Sequence, residues 1–112
     1  MAYMSDRQSV AANASVANVL SGKSQEFLIA PSALDFGIQA SAVGMFATII
    51  VGNEILMEDQ EVPTQNRMPV FPDDFILFNQ AGAPGDRVIV KLRNSTAGAI
   101  TVFTAVRVNE MA

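Results

Sequence analysis

Carboxylates gather in the middle of the chain: Glu54, Glu58, Asp59 and Glu61, followed by Asp73 and Asp74. Clustered oxygen ligands are the raw material of a hard-cation site. The D-x-[DN]-x-[DN]-G spacing of a calcium loop does not occur, however, and Glu54 and Glu58 fall on the wetter side of a predicted strand. A solvated edge is expected there, and no metal. The same acids used as a glycosidase pair would need a cleft lined by sugar-stacking rings, but the chain has no Trp and one Tyr. Serines are plentiful, yet there is no His to activate one and no Cys to supply a thiolate. A Ser–Lys pairing around Lys23 or Lys91 is the formal remainder; Lys23-Ser24 reads as a turn and Lys91 points outward from a strand. Gly82-Ala83-Pro84-Gly85 lacks the phosphate-cradling pattern and opens no helix. The expectation is a protein that is not an enzyme and needs no cofactor.

The bases concentrate late, at Arg87, Lys91, Arg93 and Arg107, with no acid between Arg87 and Asn109. A nucleic-acid stripe would look similar. The net charge of −4 and a pI near 4.5 argue against that, and against an anionic membrane surface. The alternative is an exposed strand face that meets an acidic partner or the protein's own acidic half. No stretch reaches the roughly 18 apolar residues of a spanning helix. The N-terminus lacks a basic segment followed by an apolar one, so synthesis in a cytoplasm is expected.

These side chains need a frame, and 112 residues with half of them apolar make one domain. Leu34, Phe36, Ile38 and Ala40 alternate with Asp35, Gly37, Gln39 and Ser41, the period of a half-buried strand. Met45–Val51 is apolar on both faces and suits a central strand. Gly52-Asn53 makes a two-residue hairpin turn into a returning strand over 54–59. That turn sets Ile50 opposite Ile55 and Thr48 opposite Met57, with Val51/Glu54 and Ala47/Glu58 on the wetter face. Residues 60–73 hold three prolines and read as a long connection. Strands follow over 74–80, around Val88–Leu92 and over 100–108, with turns at 81–86 and 96–98. The predicted core is Leu34, Phe36, Ile38, Ile50, Ile55, Phe75, Leu77, Val88, Val90, Leu92, Val102 and Val106.

Residues 1–24 differ, being rich in Ala, Ser, Asn and Gln. They read as an extended N-terminal arm over 1–14, with a first strand near 15–20. A short helix capped by Ser5-x-x-Gln8 and ended at Gly22 is the alternative. The fold class is an all-β antiparallel β-sandwich over residues 15–112, with about eight strands and a single jelly roll favoured.

With its polar start SVAANASVANVLSG, its strand-rich middle and its terminal strand ITVFTAVRV, the chain resembles the small staple-type cement, or capsid-decoration, proteins of tailed bacteriophages. The resemblance lies in overall plan and rests on no diagnostic motif. It implies a structural virion protein that binds the outer surface of the head and clamps neighbouring major capsid subunits. A tail or fibre accessory subunit and a small carbohydrate-binding sandwich are the alternatives. No residue-level site carries over. Exposure and composition point to Tyr3, Met4 and Arg7 on the arm, and to Arg67, Met68 and Phe71 in the Pro-rich stretch 62–72, as partner-binding residues. Expected partners are the major capsid protein and a second copy of the chain, dimer before trimer.

Overall fold

The computed structural model describes residues 2–23, 26–71 and 73–110. Among them there is no helix, and hence none long and apolar enough to cross a membrane. Eight strands run in the order β1 Ala2–Val10, β2 Ser15–Val16, β3 Ser32–Ala40, β4 Met45–Val51, β5 Glu54–Glu61, β6 Phe75–Gly82, β7 Val88–Asn94 and β8 Ile100–Glu110. They form two antiparallel four-stranded sheets. Sheet A has the order β1-β8-β3-β6 and sheet B the order β2-β7-β4-β5. One hydrophobic cluster joins them: Leu34, Phe36 and Ile38 of β3 and Val102, Val106 and Val108 of β8 meet Met45, Ala47 and Ile49 of β4 and Val88, Val90 and Leu92 of β7. Period-two alternation makes this sandwich, because each of these strands turns every second side chain inward.

The N-terminal segment departs from expectation. It is extended through residue 10, but as strand β1, paired residue for residue with β8 from Ala2↔Val108 to Val10↔Ile100. Met4 and Val10 are buried in the shared core. The arm is therefore an edge strand of its own sheet, and the capped-helix alternative does not form. The first strand expected near 15–20 shrinks to Ser15–Val16. Beyond it the chain stays beside β7 irregularly. Asn18 replaces ladder bonds with its side chain: its Nδ2 donates to Val88 O, and its Oδ1 accepts from Leu20 N and Val90 N. A buried carboxamide satisfied on both ends holds such an edge without regular pairing.

The Gly52-Asn53 turn closes the β4–β5 hairpin with the expected Val51↔Glu54 and Ile50↔Ile55 pairs, and Gly52 takes a positive φ of 60°. Beyond these pairs β5 slips. Met57 stands opposite Ile49 and Gln60 opposite Ala47, so Glu58 and Asp59 share the place opposite Thr48. Asp59 adopts a φ of 46°, and its N–H donates to Thr48 Oγ1. This is a β-bulge. The face assignment is also reversed. Met45, Ala47, Ile49 and Val51 point into the core, while Ile50 is half-buried and Ile55 is 54% exposed on the outer side. A strand apolar on both faces leaves its parity to its neighbours.

Two bulges in β6 have a larger effect. Register shifts beside Phe36 put Leu77 opposite Phe36, but Phe75 opposite Gly37. One is pinned by the Asn79 N–H, which donates to Asp35 Oδ1 at 2.8 Å, with Asn79 at a φ of 53°. Phe75 is thus buried as expected, but on the outer face of sheet A and not in the core; Leu77 is only half-buried.

Candidate functional site

The outer face of sheet A is built by the connection between β5 and β6. Proline-rich as expected, it leaves β5, pairs Thr64 with Ala40 in a parallel bridge, and folds back over the sheet. Pro69 packs down beside Gly37, where a Cβ would lie 2.9 Å from Pro69 Cβ and 2.7 Å from the Phe75 ring. Only glycine admits this strap so close to the strand. Asp74 ties the strap's end. Its carboxylate accepts from Val70 N at 2.9 Å and from the Arg67 guanidinium at 3.0 Å. The Val70 N–H, and then Arg67, hold its pKa below the ordinary aspartate value against the opposing effect of desolvation.

Aromatic rings assemble under and beside this strap. Phe71 meets Phe75 edge-on at 5.2 Å between centroids and Phe78 at 6.1 Å. The Arg107 guanidinium lies 4.2 Å from the Phe71 centroid and 4.0 Å from Asp35. Tyr3 stands opposite Arg107 in the ladder, and Arg7 opposite Phe103, over whose ring its guanidinium sits at 5.6 Å. Strand alternation sends Tyr3 and Arg7 to this face and Met4 to the other. The sequence-predicted partner residues therefore divide. Tyr3, Arg7 and Phe71 share one surface, with Tyr3 51% and Phe71 38% exposed. Arg67 is exposed but committed to Asp74, and Met68 is half-buried. Met4, at 3% exposure, belongs to the core and is not an accessible anchor. Pro72 lies outside the described residues. Sequence reasoning missed Arg107 and Phe78 (42% exposed) as members; for Arg107 the outward alternation of β8 was the available signal.

Among the described residues the outer face of sheet B has no strap. Its rows follow from the ladder. Ile89, Ile50 and Ile55 lie side by side across β7, β4 and β5, and Arg93, Phe46 and Glu61 form another row. Lys91, Thr48 and the bulged pair Glu58/Asp59 lie between them. Arg93 bonds Asp59 through two nitrogens, at 3.1 and 2.9 Å, and sits 4.5 Å from the Phe46 centroid. That carboxylate raises the Arg93 pKa further. A concavity of about 420 Å³ opens here, with Ser15, Phe46, Thr48, Asp59, Lys91 and Arg93 in its lining.

The late run of bases is mostly answered by the chain's own acids: Arg87 pairs with Glu26 at 2.8 Å, Arg93 with Asp59 and Arg107 with Asp35. Gly22 N–H and Arg87 both bond Glu26 and lower its pKa. Lys91 makes no ion pair among the described residues. No protein-family model, curated protein or solved structure matches the chain.

Proposed function

We propose that the chain is a structural subunit that works by contact and not by catalysis: a decoration protein on the exterior of a tailed-phage head, clamping neighbouring major capsid subunits and associating with itself. The observation that carries this reading is the strap face of sheet A. Tyr3, Phe71 and Phe78 present partly exposed rings interleaved with Arg7 and Arg107. Aromatic and arginine side chains anchored on a rigid frame are the composition of protein-binding hot spots. The strand order supports a single jelly roll, the fold that the resemblance implies. In β1-β8-β3-β6 against β2-β7-β4-β5, every connection except the β4–β5 hairpin changes sheet. Multiplication of one modest contact over a symmetric shell makes high single-site affinity unnecessary.

The test is co-sedimentation of the purified chain with undecorated heads assembled from the cognate major capsid protein. Saturable binding that raises the shell's melting temperature is expected, with occupancy lost in a Tyr3→Ser/Phe71→Ser variant that circular dichroism shows to be still folded at the temperature of the assay. Absence of binding by the wild-type chain, or unchanged binding by the variant, overturns the reading.

A further inference from the structure

The outer face of sheet B carries cations on one side and anions on the other. β7 contributes Lys91 and Arg93; β5 contributes Glu58, Asp59 and Glu61; β4 lies between them with Phe46, Thr48 and Ile50. The rows are held in register by the ladder, so the charge pattern is ordered in two dimensions. We propose that this face is an isologous dimer interface that takes a second copy of the same chain, with the two-fold axis running along β4. The inference rests on the self-association part of the functional reading and assigns it a surface.

The geometry selects the axis. Two identical faces packed together are related by a two-fold axis lying in the interface. An axis across the strands would set β7 over the partner copy's β7, bringing Lys91 and Arg93 against like charges. An axis along the strands keeps each row at its own height and exchanges left for right. β7 of one copy then lies over β5 of the other. Arg93 meets a second Glu61, and Lys91 meets a second acidic bulge. Asp59 is already engaged by Arg93 at 2.9 Å within its own chain, so Glu58, exposed in the same row, is the partner for Lys91. In the isoleucine row Ile50 faces its own copy on the axis, and Ile89 faces Ile55, 54% exposed in the free chain. The two Lys91–Glu58 contacts then sit about 5 Å either side of the axis, one strand spacing each. The concavity beside Lys91 receives the incoming carboxylate. Three overlapping strands, β7, β4 and β5, give a footprint of about 23 by 14 Å, below that of a standard stable interface and in the range of weak, transient ones. The dimer should therefore be concentration-dependent and weakened by salt.

Sedimentation velocity over a dilution series, on the full chain, tests this with two charge reversals. Lys91→Glu alone and Glu58→Lys alone each bring like charges together at both symmetric contacts, so each should weaken dimerisation about tenfold or more. An equimolar mixture of the two variants restores opposite charges at both contacts and should return the dimer as a heterodimer. Circular dichroism melting confirms that both variants are folded; the side chains are exposed, and their melting temperatures should match the wild type. A wild-type dimer that either reversal leaves intact, or a mixture that fails to recover, overturns this surface while self-association stands. A Phe71→Ser variant that loses the dimer points to the strap face and also overturns it. A wild-type chain that stays monomeric throughout the series overturns both the surface and self-association in solution.

Discussion

The two outer faces of the sandwich start from similar material and end differently. Both sheets place aromatic, aliphatic and arginine side chains outward. On sheet A a proline-rich connection lies across part of them, and Phe75 becomes as buried as many core residues without joining the core. On sheet B no described segment crosses, and Ile50 and Ile89 stay half-buried while Ile55 is exposed. The difference teaches that burial in a small sandwich is decided by connections as much as by strand alternation. One loop turns a surface into a third layer, and what it leaves uncovered becomes a rim of rings and guanidinium groups. The same residue types left without a loop form a flat, charge-ordered face.

The contrast can be broken most severely by removing β1. Deleting residues 2–9 takes Tyr3 and Arg7 off the strap face, uncovers the β8 edge and removes buried Met4. A loss of at least the roughly 2–5 kcal/mol of a buried methionine is expected in urea unfolding. An unchanged midpoint would show that β1 is an arm after all. Next, Phe75→Ala should cost about 2–4 kcal/mol, whereas Ile55→Ala on the open face should stay within about 0.5 kcal/mol; equal costs would mean that the strap is no cover. Gly37→Ala should lose about 1–3 kcal/mol, because the new methyl must displace the closely packed Phe75 ring and Pro69. Melting temperature reads this directly, and a neutral result would show that the strap yields freely.

A smaller effect separates the faces by pH. Asp74 has a folded pKa below its ordinary value of 3.8, set first by the Val70 N–H. Its stabilisation is therefore fully present above that ordinary value and is lost as pH falls through the lower folded value. Hydrogen exchange at the Val70 amide should lose protection over that acid range, ahead of amides in β4 and β7. Asp74→Asn should remove the pH dependence of the strap; loss of protection in all strands together would show that the strap does not open separately.

Much of the frame was legible in the sequence. β3, β4, β7 and β8 announce themselves by alternation or by a β-branched run, and Gly52-Asn53 marks its turn. β1 was not legible as a sheet strand. Its inward positions run Met4, Asp6, Gln8 and Val10, and Asp6 and Gln8 interrupt the apolar pattern; its stability comes from β8, at the far end of the chain. The parity of β4 was also hidden, since Ile49 and Ile50 serve either face equally well. The strap face was half legible. Tyr3, Arg7 and Phe71 were recognisable as exposed anchors, but their meeting with Arg107 and Phe78 depends on bulges at Asn79 and Ile76, and local residue preference does not encode those.

The pairing of the first strand with the last sets an order of events during synthesis. β8 sits between β1 and β3, so β1 has no ladder partner, and β3 only β6, until β8 leaves the ribosome. β4 and β5 can form their hairpin locally, but sheet A cannot close early. Until then the chain carries two strands with an empty slot between them, open to any extended segment of another nascent copy. A closure this non-local is slow, and it exposes the chain to strand exchange while it waits. Asp6, turned inward on the waiting strand, is a charge that a wrong partner would have to bury.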